Sequence, residues 1–184
     1  MTRHAPTPPS HLEGEALALY HQITGGPRAS GPQHFPLVRD DGSLSGPFDA
    51  FLLNPQLGAT LQSVGAAIRY EGALPPRARE IAILTVAAAW DSAFERDAHE
   101  AIGRSVGLTE EELAAIRDRR IPNVGDPLEL ACAKFALAMT NGDVDDDLWE
   151  AGSRIIDAPL VFELTTLVGY YSTLALQLRV FRSE

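Results

Sequence analysis

The stretch "LPPRAREIAILTVAAAWDSAFERDAHEAIGRSVGLTEEELAAI", residues 74–116, decides the fold of this chain. Its punctuation is helical. Pro76 suits the opening of a helix, because a first-turn residue needs no partner for its N–H. The aliphatic run behind it reaches Trp90 without a breaker. Asp91 or Ser92 can cap a second helix that stops at Gly107, a C-terminal cap signal. "TEEE" at 109–112 is a capping box: Thr109 and Glu112 can each satisfy an open N–H of a third helix, which runs through about residue 119.

The same signals extend outward. Ser10 can cap a first helix over about 11–23, where Leu12, Ala16, Leu19 and Ile23 recur at helical spacing. "FDAFLLN" reads as a short helical turn. Pro55 then opens a helix to about residue 70. Asp126, Pro127 and Glu129 start another, which ends near "NGD". "DDDLWEAGSRII" gives one more, its acidic residues placed against the positive end of the helix dipole. Pro159 begins the last helix, to about residue 181. Between the first two elements, "TGGPRASGPQHFPLVRDDGSLSGP" is rich in Gly, Pro and Ser and reads as a long loop. Neither internal repeats nor sustained β alternation stand in the sequence. The expected fold is all-α: a single bundle-like domain over 47–184, preceded by a flexible arm over 1–46 that holds one helix and the long loop.

Composition narrows the function classes. The 184 residues suffice for a substantial core, and 45% hydrophobic with 22% charged content is that of a soluble globular chain. A formal net charge of −10 argues against nucleic acid, which demands a basic face. The single cysteine, Cys132, rules out an internal disulfide and a cysteine-rich metal site, and fits a reducing cytoplasm. "MTRHAPTPPSHLEGE" lacks the apolar core of a signal peptide. The most apolar run, "PLVFELTTLVGYYSTLALQLRVF", is interrupted by Glu163, Gln177 and Arg179, so it reads as a buried helix rather than a membrane span. The five histidines show no metal-ligand spacing, so no metal site is expected. His4, His11 and His21 read as surface residues. His34, in the long loop, is a candidate lid.

Four polar residues interrupt the apolar background of the central stretch: Glu80, Ser92, Glu95 and His99. On one helix, 92, 95 and 99 fall within roughly 60° of one another. They run beside an apolar stripe of Phe94, Ala98, Ile102 and Val106, so His99 can be half-buried next to a carboxylate one turn earlier. That pair suits general acid/base work, with the glutamate orienting the ring and supporting imidazolium. Glu80, one helix earlier, reaches the same place if the two helices pack antiparallel. A structural account stands beside this one. "SAFE" is itself a capping box, Glu95 and His99 are spaced like a solvated i,i+4 pair, and Glu80 can pair with Arg77 or Arg79.

The stretch also resembles the core of the carboxymuconolactone decarboxylase family, which includes the alkylhydroperoxidase D proteins. The likeness lies in the proline-led helix with its Arg-Glu pair and aliphatic run, the aromatic–Glu segment, the histidine, and "GLT" opening a further helix. "GYYSTLALQLRVF" resembles the family's last helix, so the resemblance covers about 47–181. Where the peroxidase branch has Glu-x11-Cys-x2-Cys-x3-His, this chain reads Glu80-x11-Ser92-x2-Glu95-x3-His99. Both cysteines are missing, and a thiol peroxidase needs them. The decarboxylase branch is closer: it too has Glu at the second cysteine position. Arg96, where many relatives have tryptophan, and the long loop depart from the pattern.

The resemblance implies an alkylhydroperoxidase D-like bundle and a cofactor-independent lyase, or an isomerase or hydrolase, acting on a small carboxylated or lactone metabolite. His99 would be the proton-transfer residue. Glu95 would orient it, Glu80 would complete a relay, and Ser92 would bind substrate or cap the helix. Trp90 and Phe94 would wall the pocket, and Arg96 and Tyr170 would contact substrate. Arg39, Arg69 and Arg79 are further candidate cations, and Tyr171 a further candidate donor. A homo-oligomer, a trimer or a multiple of it, is also implied, with the last helix and "FDAFLL" as contact surfaces. Two alternatives remain open: a peroxidase-like activity through Cys132, and a non-catalytic binding protein whose site has lapsed.

Overall fold

A computed structural model of the chain describes residues 3–30 and 35–182. Among these, the regular elements are helical, and the only β pairing is an isolated bridge between Val38 and Leu44. The helices are α1 (Gly14–Thr24), α2 (Pro47–Phe51), α3 (Pro55–Tyr70), α4 (Pro76–Trp90), α5 (Ala93–Ser105), α6 (Glu110–Arg117), α7 (Pro127–Thr140), α8 (Asp146–Gly152) and α9 (Ala158–Phe181). The all-α expectation is met. No helix among the described residues is long and apolar enough to cross a membrane. The candidate lid residue His34 lies outside the described residues.

The chain forms two compact units, Met1–Glu71 with Leu174–Glu184, and Gly72–Thr173. In the first, α1 and α2 pack on α3. Where it is described, the expected flexible arm is packed. Leu37, Ser43, Leu44 and Ser45 are buried, and Arg39 N–H donates to Ser43 O at 2.8 Å. Asp41 accepts from the Ser43 backbone and hydroxyl, which holds its carboxyl below the ordinary value. The N-terminal residues are tied down as well. Arg3 N–H donates to Phe181 O at 2.9 Å, and His4 pairs with Asp49 at 2.7 Å, so His4 is not the partnerless surface residue expected. The cap also moves: Ser10 sits in a 3-10 turn, Pro9–His11, and α1 starts only at Gly14. Consecutive prolines at 8 and 9 fix φ and favour the tighter turn. In the "FDAFLL" segment, Phe48, Phe51 and Leu52 are core residues and Leu53 is exposed.

The second unit is built around α4, which packs against α5, α6 and α7. Ala78 and every residue from Glu80 to Ala87 are buried. That explains the uninterrupted aliphatic run: a helix covered on all sides has no face left to be polar. Ile81 and Leu84 join Leu108, Leu113, Ile116, Val124 and Ala133 in one cluster. Each such aliphatic side chain contributes about 1.5–3 kcal/mol of burial. The capping predictions for α6 and α7 hold. Thr109 and Glu112 form the reciprocal capping box, and the Asp126 carboxylate accepts from the N–H groups of Leu128 and Glu129. Gly107, past the end of α5, has φ 95°, a conformation open to glycine at little cost.

Candidate active site

A carboxylate in the middle of a fully covered helix is costly unless something compensates it. Glu80 is such a group, with 0% exposure. The turn between α4 and α5 supplies its partner. Asp91 adopts the left-handed conformation, φ 49° and ψ 47°, and the chain reverses so that α5 lies along α4. His99 thereby meets Glu80, with Nδ1 2.7 Å from Oε2. On the other side of the ring, Nε2 lies 3.5 Å from Glu95 Oε2. The edge of the imidazole ring meets Tyr171 of α9, with the ring centres 5.2 Å apart and nearly perpendicular. Glu95 and His99 are 3% and 4% exposed, so the solvated i,i+4 pair is not what forms.

The geometry separates the two glutamates. At 2.7 Å, Glu80 lies at short hydrogen-bonding distance from Nδ1, and an ionised carboxylate there can only accept, from Nδ1–H. At 3.5 Å, Glu95 is outside good hydrogen-bonding range but well within electrostatic range. Nε2 is the ring nitrogen that faces Glu95. The nearer carboxylate is therefore the one distant in sequence, Glu80, and the one-turn neighbour Glu95 stands farther off.

Ser92 is the N-terminal flanking residue of α5, yet its side chain makes no capping hydrogen bond. The "SAFE" box does not form, and the Ser92 hydroxyl is buried at 2% exposure in place of serving the helix end. Arg77 does not pair with Glu80 either. It donates to Glu129 at 2.8 and 3.2 Å, to Glu112 at 2.9 Å and to Gly107 O. Those partners raise its pKa, with the Glu129 hydrogen bond as the largest cause. Arg79 is the basic residue beside Glu80, its Nε 3.8 Å from Oε1.

The expected substrate contacts are scattered. Trp90 and Phe94 are half-buried at the facing ends of α4 and α5. Tyr170 packs on Tyr171, at 5.3 Å between ring centres, while Tyr171 is the one against the imidazole. Sequence gave no basis for choosing between these neighbours, because α9 is apolar around most of its circumference. Arg96 faces elsewhere. It lies 3.8 Å from Asp91 and 3.5 Å from Asp97, and it borders a cavity of about 160 Å³ between α4, α5 and α6 whose lining does not include His99. Cys132 is fully buried in α7, and desolvation pushes its thiol up to about 12. A thiolate at neutral pH is therefore disfavoured, which argues against thiol chemistry. Among the described residues, no group of three or more His, Cys, Asp or Glu is placed to hold a metal ion.

The spacing Glu80, Ser92, Glu95, His99 now has a geometry, and it falls inside a recognised segment. Residues 55–138 match the model of the carboxymuconolactone decarboxylase family. The matched segment contains α3, α4, α5 and α6 and the four candidate residues Glu80, Ser92, Glu95 and His99, while Tyr171 comes from beyond it. No curated protein sequence matches the chain. Among solved structures, it is similar to a cysteine-to-alanine variant of the debrominase Bmp8 in complex with 2,3,4-tribromopyrrole. The TM-score is 0.73 at 13% identity, over 100% of this chain and 93% of that one. The apo form of the debrominase Bmp8 is similar too, with a TM-score of 0.72 at 13% identity over 97% and 89% of the two chains. At that identity the likeness is one of fold.

Proposed function

We propose that the chain is a cofactor-independent enzyme that moves a proton on a small carboxylated or lactone metabolite, as a lyase or as an isomerase or hydrolase. The observation that carries this reading is the 2.7 Å contact between His99 Nδ1 and Glu80 Oε2, made where both groups are buried. A histidine serving only the core would need one partner; this one has a carboxylate at each nitrogen. The family match and the debrominase fold neighbours support small-molecule catalysis in general. The choice of proton transfer rests on the side chains.

In this mechanism Glu80 holds the Nδ1–H tautomer and leaves the Nε2 lone pair as the base. Nε2 removes a proton from carbon, or returns one to it, and Glu95 stabilises the imidazolium between those steps. The apolar surroundings strengthen that interaction. Ser92, buried at the start of α5, would hydrogen-bond a substrate oxygen in this scheme. Homo-oligomer formation, a cytoplasmic location, and the division at residue 47 belong to the same proposal. Phe162, 73% exposed on α9, is the apolar side chain offered to another copy.

The test is a screen of small acids and lactones for turnover, followed by His99→Ala with its helical CD spectrum as a fold control. The proposal expects turnover to vanish while the spectrum is kept. Turnover retained by the folded variant would overturn it.

A further inference from the structure

The site contains a cation that makes one long ion contact, to Glu80, and no hydrogen bond to a described residue. Arg79 has 15% of its side chain exposed, and its charge lies 3.8 Å from the outer oxygen of Glu80. A guanidinium carries five N–H donors in a rigid fork. Arg79 makes no hydrogen bond to any described residue, and its Nε is sealed from solvent without an acceptor. Glu80 Oε1, facing it, is also sealed without a hydrogen-bond donor. Buried polar groups in native proteins are hydrogen-bonded in the great majority of cases, and leaving one without a hydrogen bond is costly, more so for a charged group. Two adjacent atoms on a central helix that share only a 3.8 Å ion contact and no hydrogen bond mark a place where stability has been given up.

Arg77, two residues earlier, shows the alternative. It has bidentate bonds to Glu129, another to Glu112 and another to Gly107 O. The same helix thus saturates one guanidinium and leaves the next unsaturated. The unsaturated one stands next to the imidazole, with a single carboxylate between them, because Glu80 touches His99 through Oε2 and Arg79 through Oε1.

We infer that Arg79 is the anion receptor of the site, and that the substrate is bound through a carboxylate seated on its guanidinium fork. This rests on the proton-transfer reading above and narrows it: the ligand is a small carboxylic acid, and a neutral lactone lacking a free carboxylate is not bound. The fork pairs with both carboxylate oxygens, as arginine does where planar bidentate recognition is needed. The carbons next to that carboxylate then lie towards His99. Arg79 also keeps net charge in balance, since Glu80 and Glu95 otherwise face an added anion with only one histidine between them.

The test is calorimetric titration of the full-length protein with a panel of two- to eight-carbon mono- and dicarboxylates, including benzoate and succinate. Benzamide and succinamide serve as neutral controls. At least one acid is expected to bind wild type at least tenfold more tightly than its amide. Arg79→Gln is expected to lose that tenfold preference while keeping its CD spectrum, and Arg79→Lys to retain part of it. His99→Ala should still bind the acid. Equal binding of acids and amides, no acid bound at all, or an unchanged preference in Arg79→Gln would overturn the inference. So would a change in oligomeric mass in Arg79→Gln with acid binding intact, since the carboxylate would then come from a second copy. Acid binding through Arg79 together with turnover that survives His99→Ala would sink the proton-transfer reading and leave the receptor standing.

Discussion

Two clusters of charge lie along α4, and they are built on opposite terms. Around Arg77, three acceptors surround one guanidinium at hydrogen-bonding distance, and the cluster ties the start of α4 to the caps of α6 and α7. Around Glu80, one short bond to His99 is accompanied by contacts of 3.5 and 3.8 Å that fall short of hydrogen bonding. Burial is deeper at the second cluster and satisfaction is poorer. A fold gains nothing from that combination by itself, because deeper burial makes incomplete pairing more expensive. The first cluster is explained by stability. The second is what the proposed ligand and proton transfer would require.

That contrast can be broken by substitution. The largest effect should come from His99→Ala, with turnover falling by about 10²–10⁴, measured on whichever acid the screen identifies. Arg77→Ala should act on stability instead. It strands Glu112 and Glu129, both nearly buried, and should cost about 2–4 kcal/mol in urea denaturation, somewhat under the value for a fully buried pair because Arg77 is partly exposed. Arg79→Gln, by comparison, should cost less than Arg77→Ala, since it breaks a 3.8 Å ion contact and no hydrogen bond to a described residue. If Arg79→Gln proved as damaging as Arg77→Ala, the two clusters would not differ in kind.

Much of this architecture was legible in the sequence, for reasons that can be named. Capping residues act locally, so Thr109, Glu112 and Asp126 announced their helices correctly. Proline fixed the starts at Pro55 and Pro76 through its own covalent geometry. Spacing placed Ser92, Glu95 and His99 on one edge of α5. The choice between partners depended on packing, which is not local. Sequence proximity favoured Glu95 as the orienting residue, yet the left-handed turn at Asp91 swings Glu80 into the shorter contact. Packing likewise selected Tyr171 over Tyr170, and it buries Leu37 and Leu44 in the described end of the Gly- and Pro-rich loop.

Smaller effects sharpen the comparison further. Cys132, buried and pushed up to about 12, should resist alkylation by iodoacetamide at pH 8 in the native protein and react once urea unfolds it. Rapid native-state alkylation would reopen thiol chemistry. A third charged group, Glu100, has its carboxyl held below its ordinary value of 4.5, chiefly by its hydrogen bond to Arg117. Its folded pKa is depressed, so its contribution is complete above that value and is lost as the pH falls through the lower folded one. Stability should therefore decline on acidification below about pH 4.5, and Arg117→Ala should flatten that part of the profile. The effect should be modest, because Arg117 is 40% exposed and solvent screens it.

The central claim is that Glu80 fixes the His99 ring and leaves Nε2 as the reactive nitrogen. The direct measurement is a long-range proton–nitrogen NMR correlation of the His99 side chain in wild type and in Glu80→Gln. The account predicts that, above the pH at which the ring is doubly protonated, wild type carries its hydrogen on Nδ1, slowly exchanging, and that Glu80→Gln loses this protection. A ring with its hydrogen on Nε2, or one indifferent to the loss of Glu80, would contradict it.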